Sequence, residues 1–241
     1  MARSSQGEIS RGEAEQLIAS IPHWHHTFEI VPGVVTPGTY NPTFMLEKLR
    51  LEDDLSGQRV LDMGTSDGFF ALSMRRRGAE VVAVDYRPKS LHGFGVMERL
   101  SGLDFDYRQA NLYSIDPETW GTFDIVIFLG VLYHLPDMLR ALNILRSVCS
   151  GRLFLETHCA AGFSPGVSAA RYYRGSSLNN DLTNFWSPNP ECLRDMLYDT
   201  GFDLVREEAW SADRYFAASQ ISHDHVRAYK MHLGYSLVPE S

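Results

Sequence analysis

Between Gly57 and His158, short apolar runs of strand length alternate with segments of helical period, and that alternation admits little besides a parallel sheet layered by helices. The first run, Arg59-Val60-Leu61-Asp62-Met63, leads through the turn Gly64-Thr65-Ser66-Asp67-Gly68 into a helix from about Phe69 to Arg77, closed by Gly78. The second, Glu80-Val81-Val82-Ala83-Val84, is almost wholly apolar, as a parallel strand covered on both faces must be. It ends at Asp85. A helix from about Lys89 to Leu100, a third strand around Phe105 to Arg108 and a fourth at Phe123-Asp124-Ile125-Val126-Ile127-Phe128 follow. Pro136 sits where a helix begins, and Leu139, Leu142, Ile144, Leu145 and Val148 give that helix an apolar stripe. The fifth strand is Arg152-Leu153-Phe154-Leu155-Glu156.

After His158 the pattern breaks, over about 159–189, into a stretch rich in Gly, Ser, Asn, Arg and Tyr, the signature of a functional insertion. Order returns with a helix from Pro190 to Gly201 and a sixth strand, Phe202 to Arg206; the alternating tail from Val226 to Leu233 reads as the seventh. The expected architecture is α/β: a Rossmann-like, seven-stranded, mostly parallel sheet sandwiched by helices in one domain over 51–241, preceded by an N-terminal segment, 1–50.

Composition narrows the class. The chain of 241 residues carries 22 Lys plus Arg against 30 Asp plus Glu, a formal charge of −8. That length buries a large core without disulfide or metal staples. The longest apolar stretch, Ile125 to Leu132, is far short of the roughly 20 residues a membrane span needs. No signal-peptide core follows Arg3. Cys149, Cys159 and Cys192 are odd in number and lack CxxC spacing, which fits a reducing compartment and opposes a zinc site, so a cytoplasmic protein is expected. The acidic balance disfavours a broad nucleic-acid surface.

In an open parallel sheet the ligand lies at the carboxyl ends of the strands. Gly64 and Gly68 bracket a tight turn that lets backbone approach a ligand and aims helix amides at it, and Asp85 is placed to accept hydrogen bonds from both hydroxyls of a ribose. The alternative is a strand-to-helix turn with a capping Asp. A dinucleotide turn would read GxGxxG; here the spacing is Asp62-x-Gly64-x-Ser66-x-Gly68. Asp62 can hold an ammonium while helix amides hold a carboxylate, which suits the amino-acid tail of S-adenosyl-L-methionine.

From Leu55 to Arg206 the chain resembles the class I S-adenosylmethionine-dependent methyltransferases. Val60 to Gly68 looks like their first motif, with Ser66 in place of the usual middle glycine, and Asp85 looks like their ribose acid. Asn111 and Leu112 fall where the family holds the adenine edge. Phe123 to His134, through Leu129, Gly130 and Tyr133, looks like their fourth motif. With Trp186-Ser187-Pro188-Asn189, Cys192-Leu193 and Gly201-Phe202, that string is similar to the subgroup containing the tRNA wobble-uridine carboxymethyltransferases. The resemblance implies a donor site formed by Asp62, Gly64, Thr65, Ser66 and Gly68 on the first turn, Asp85 and Tyr86 on the second strand's end, and Asn111, Leu112, Leu129 and Tyr133 beyond. It also implies, for the carboxylated donor of the tRNA enzymes, a lysine near His25. No Lys or Arg occurs between Arg11 and Lys48. The expectation is therefore methyl transfer to an oxygen or nitrogen of a small metabolite or sugar-like acceptor. The rival is a tRNA wobble-uridine modifying (carboxy)methyltransferase. A nicotinamide-dependent reductase and a non-catalytic adenosyl-binding partner subunit are the readings from other classes, and a homo-oligomer is compatible with the chain.

Methyl transfer to a hydroxyl needs an aligned nucleophile and a proton acceptor, for which histidine is the commonest choice. His134 follows the fourth strand, beside the expected methyl position; it could instead support Tyr133. Glu156 and His158 leave the fifth strand at the same sheet edge, as base, substrate anchor or satisfied loop polar groups. His23-Trp24-His25-His26 lies in the N-terminal segment, which such enzymes commonly fold over the pocket; the stretch reads either as a lid with one histidine, His25 or His26, inward or as simple packing of Trp24 with polar neighbours. An extended chain would point those neighbours to opposite faces, which argues against a shared metal ion, and no metal is expected. Arg171-Tyr172-Tyr173-Arg174, Asn179-Asn180 and Trp186 could stack on and hydrogen-bond an acceptor, or pack the insertion on itself. Arg75-Arg76-Arg77 reads as cations at a helix C-terminus, and His223 and His225 as surface residues.

Overall fold

A sheet of seven strands forms the centre of the computed structural model, which describes residues 9–222, 230–231 and 235–236. Strands β3 (Arg59–Met63), β4 (Glu80–Asp85), β5 (Asp106–Gln109), β6 (Phe123–Leu129) and β7 (Cys149–His158) are mutually parallel where they pair, with β3 flanked by β4 and β6. Beyond β7 lie β11 (Arg214–Ile221) and, at the edge, β10 (Phe202–Ser211), joined to each other and to β7 in antiparallel sense. The pleat sends successive residues to opposite faces. Val60, Val81, Ala83, Ile125, Ile127, Phe154 and Phe216 enter one core, and Leu61, Val82, Val84, Val126, Phe128, Leu155 and Tyr215 enter the other.

Helices α3 (Phe69–Arg76) and α4 (Phe94–Ser101) cover the first face; α6 (Met138–Val148) and α7 (Pro190–Asp199) cover the second, where α5 (Pro117–Trp120) is a single turn. The helix expected from Lys89 starts instead at Phe94, because Pro88 to Gly93 is consumed by turns. Among the described residues no helix is long and apolar enough to cross a membrane.

The seventh strand is the main correction to the expected order. It is Arg214–Ile221, not the tail around Val226 to Leu233. Residues 226–229 and 232–234 lie outside the described residues, as do His223 and His225, and 230–231 pair with 235–236 apart from the sheet. Tyr215-Phe216-Ala217-Ala218 carries no polar alternation because β11 sits inside the sheet, between β7 and β10, with both faces buried. The insertion is ordered too. Its strands β8 (Ala170–Tyr172) and β9 (Trp186–Pro188) pair, and the Asn189 amide donates to the carbonyls of Phe163 at 2.9 Å and Val167 at 2.7 Å.

The N-terminal segment packs on the first face through α1 (Arg11–Ala19), the hairpin β1 (Glu29–Val31) and β2 (Val34–Val35), and α2 (Thr43–Leu49). A capping box between Ser10 and Glu13 starts α1. Arg76 donates to the Ile30 carbonyl and Arg77 to those of Leu51 (3.4 Å) and Glu52 (3.3 Å), so the basic run fastens the segment to α3. Buried Trp24 donates through Nε1 to the Ile18 carbonyl at 3.0 Å and lays its ring over Gly93, where any Cβ would fall within the ring's contact radius. Gly93 has an ordinary helical φ of −66°, so Gly93→Ala isolates the steric term. It should destabilise the fold by about 1–3 kcal/mol, the range for an overpacked core. Urea unfolding followed by far-ultraviolet circular dichroism checks this, and an unchanged midpoint would show that the seat is not tight.

Candidate active site

Asp62, Asp67 and Asp85 converge where β3 and β4 end, and all three carboxylates are buried. They differ in their partners. Asp67, in the turn before α3, accepts from the backbone N–H groups of His25 and His26, both at 2.8 Å, and from the His26 ring. Burial opposes the ionised form, but the His26 bonds outweigh it and hold the Asp67 carboxyl below its usual range. His26 is thereby a fastening of the N-terminal segment. The His25 ring packs edge-on against it at 4.5 Å between centroids, since this stretch turns rather than running as a strand, and burial pushes His25 down to about 4.

Asp85 takes the Ser66 N–H at 3.0 Å and the Arg87 guanidinium in a two-pronged contact, Nε at 2.9 Å and Nη2 at 3.0 Å, with the Arg87 N–H at 3.1 Å. Those four bonds fill the four acceptor directions of a carboxylate. Asp62 is the contrast. Its carboxylate accepts from the Thr65 hydroxyl at 2.7 Å and from the Ala71 amide, has no cation bonded to it among the described residues, and is pushed up to about 6 by burial. The Gly64 and Thr65 amides close on the Val84 carbonyl at 2.8 and 2.9 Å, so those two are satisfied within the turn. Ser66 holds the left-handed φ of +52° that a glycine would take more cheaply. Asn111 caps its own turn by accepting from the Tyr113 N–H at 3.0 Å, Leu112 is core, and Tyr86 projects into solvent.

At the ends of β6 and β7 a second group meets. Buried Glu156 receives Nε and Nη2 of Arg214, each at 2.5 Å, and Arg214 also bonds the Tyr133 hydroxyl and stacks over its ring at 5.1 Å. Burial raises the Glu156 pKa, opposed by Arg214, and raises Tyr133; Tyr40, from the N-terminal segment and close to all three, is pushed up to about 12 by burial. His158 Nδ1 lies 2.5 Å from the Ser187 hydroxyl, and its ring packs near those of Tyr133 and Tyr173. His134, half-buried beside Leu129 and Tyr133, has its Nδ1 3.2 Å from the Thr183 carbonyl and 2.9 Å from the Thr183 hydroxyl. Burial lowers both histidines below their usual range.

The fold thus brings His134, Glu156, His158 and Tyr133 to one sheet edge and His25, His26, Asp62, Gly64, Thr65, Ser66, Gly68 and Asp85 to the neighbouring one. Sequence reasoning missed Arg214, Tyr40, Arg87 and Asp67. For Arg214 no signal existed before β11 was recognised as a strand; for Asp67, its place inside the glycine turn was a usable sign. Among the described residues no group of three or more His, Cys, Asp or Glu could hold a metal ion.

The sequence model of the family described as "Methyltransferase domain" matches residues 39–207. A ubiquinone biosynthesis O-methyltransferase of Xanthomonas euvesicatoria pv. vesicatoria is 33% identical over 144 residues, covering 56% of this chain and 60% of that protein. One of Xanthomonas campestris pv. campestris is 32% identical over the same length and shares. The chain thus spans about 60% of the length of these curated relatives. Among solved structures, the N-terminal domain of EvdMO1 with SAH bound superposes with a TM-score of 0.71 at 18% identity, over 91% of this chain and 99% of that one. The 1,6-didemethyltoxoflavin-N1-methyltransferase of Burkholderia thailandensis, solved with 1,6-didemethyltoxoflavin and S-adenosylhomocysteine, gives 0.55 at 17%, over 69% of this chain and 72% of that one. These structural likenesses show the fold.

Arg214→Met leaves Glu156 buried without its cation and should cost about 3 kcal/mol. The folded-state pKa of Glu156 is already raised above its unfolded value of 4.5, and losing Arg214 raises it further. The variant is therefore least impaired below pH 4.5, and its deficit grows as pH rises through the folded pKa. Urea titrations at pH 5 and pH 8 test this, and equal deficits would mean that Glu156 does not carry the loss.

Proposed function

Because the chain belongs to the methyltransferase-domain family, we propose that it is an S-adenosylmethionine-dependent methyltransferase acting on an oxygen or nitrogen of a small-molecule acceptor. The observation that carries this is Asp62: a buried carboxylate with no bonded cation among the described residues, beside a glycine turn, one strand from a second buried acid at Asp85. An ammonium placed against Asp62 supplies the missing charge, so the residues fit the amino-acid tail of this donor. When bound, S-adenosylmethionine supplies an electrophilic methyl carbon on a sulfonium, open to in-line displacement.

The chain's own residues bind, orient and deprotonate. Asp62 holds the donor's ammonium, and Gly64, Thr65, Ser66 and Gly68 shape the turn beside it. Asp85 receives the ribose hydroxyls in the positions Arg87 now fills, so Arg87 must swing aside. Tyr86, Asn111, Leu112, Leu129 and Tyr133 border the adenosine and methyl positions. His134 and His158, neutral at pH 7, are the candidates to take the acceptor's proton, while Glu156, locked to Arg214, braces Tyr133. Residues 9–50 serve as the cover, fastened through His26, with His25 against it.

A small acceptor is favoured over tRNA by three things: the curated relatives are named for ubiquinone biosynthesis, the net charge is −8, and no Lys or Arg lies between Arg11 and Lys48. The finer resemblance to wobble-uridine enzymes rests on Phe123 to His134, Trp186 to Asn189, Cys192-Leu193 and Gly201-Phe202.

S-adenosylhomocysteine should raise the melting temperature and NAD should not; the reverse would sink the reading. Calorimetric affinity for S-adenosylhomocysteine should weaken as pH falls below about 6, as Asp62 protonates, by up to about tenfold per unit. Asp62→Asn should remove that dependence along with most of the affinity. Arg87→Met should tighten binding about two- to fivefold, the worth of one partly exposed ion pair. Transfer of label from the donor to a panel of phenols, catechols, sugars and heterocyclic amines then identifies the acceptor class.

A further inference from the structure

His134 is held by the insertion in a way that fixes which of its nitrogens carries the proton. The Thr183 carbonyl, 3.2 Å from Nδ1, can only accept. The Thr183 hydroxyl, 2.9 Å from the same nitrogen, gives its single proton to Asp181 Oδ1 at 2.7 Å, so toward His134 it too accepts. Both contacts therefore require the hydrogen on Nδ1. In the neutral ring Nε2 then carries the lone pair. Asp181 is fixed in turn by the Thr183 N–H at 2.8 Å.

The surrounding chain is shaped for this contact. Asn179 and Asn180 both lie in the left-handed region, at φ of 54° and 56°, turning the chain back so that Asp181 and Thr183 follow. The Phe185 N–H donates to the Tyr133 carbonyl at 2.9 Å and Trp186 Nε1 to the Pro136 carbonyl at 3.0 Å, so the insertion grips the 133–136 turn on either side of the ring.

We propose that Asp181 and Thr183 are positioning residues that hold His134 protonated at Nδ1, leaving Nε2 as the atom that takes the acceptor's proton. That Nε2 serves methyl transfer rests on the function proposed above; the tautomer does not. As Nε2 gains a proton the ring becomes cationic, and the Asp181 carboxylate, one hydroxyl away, stabilises that charge. Facing it, Arg214 and Arg87 oppose the cation, and burial opposes it most, which keeps the resting ring neutral at pH 7.

The test is long-range proton–nitrogen NMR on the full chain labelled with 15N-histidine, with the His134 signals identified by their loss in His134→Gln. The wild type and Thr183→Ser should show a protonated Nδ1 and a bare Nε2 at pH 7. Thr183→Val keeps the carbonyl contact and loses the hydroxyl, so its signals should move part of the way toward the Nε2-protonated tautomer. Asp181→Asn should lower the His134 titration midpoint by about one pH unit, the loss of a nearby opposite charge. A wild-type ring protonated at Nε2 overturns the proposal, as does a tautomer and midpoint unmoved in both Thr183→Val and Asp181→Asn. No donor or acceptor is present, so failure of the methyltransferase reading is scored separately by S-adenosylhomocysteine calorimetry on the same samples.

Discussion

The Asp67 carboxylate is the contact on which the arrangement of the site depends. It is fully buried in the turn that opens α3, and it binds two consecutive main-chain N–H groups and one ring of the N-terminal segment. A buried carboxylate without such partners would be costly to ionise, so the turn and the segment are stable only together. From that anchor follow the seat of Trp24 on Gly93, the close passage of Gly38 over the His26 backbone, and the delivery of Tyr40 to the Glu156–Arg214 pair.

Four buried carboxylates line the carboxyl end of the sheet, and their compensation is unequal. Asp67 has His26, Asp85 has Arg87 and Glu156 has Arg214, whereas among the described residues Asp62 has a hydroxyl and an amide and no bonded cation. A protein interior tolerates the first three because each carboxylate is bonded to a histidine ring or a guanidinium. Burial raises both Glu156 and Asp62, but only Glu156 has a guanidinium against it, so Asp62 is the one that an incoming cation would relieve, and this inequality supports the proposed ammonium position more sharply than the glycines of the turn do.

Most of the scaffold was legible because parallel strands are buried on both faces and read as unbroken apolar runs. Val81 to Val84 and Ile125 to Phe128 are of this kind. The same rule hid β11: Tyr215 to Ala218 is equally buried, but its two alanines and its lack of β-branched residues give it no strand signature. At the candidate site, the positions a motif fixes by local spacing, such as Asp62, Asp85 and His134, could be named from the sequence as candidates. Residues were invisible where the fold joins distant segments. The Arg214–Glu156 pair is separated by 58 positions, His26–Asp67 by 41 and His134–Thr183 by 49, and nothing local records such pairings.

The fastening of residues 25 and 26 also bears on where this molecule begins as a physical object. A boundary drawn where family likeness starts, at residue 39, would cut away the partners of Asp67, the ring that covers Gly93 and the strand carbonyl that Arg76 grips. What remained would keep every motif and lose the contacts that let a buried acid exist beside a binding turn. A graft of the sheet and its helices onto another protein would therefore have to carry α1 and the β1–β2 hairpin with it.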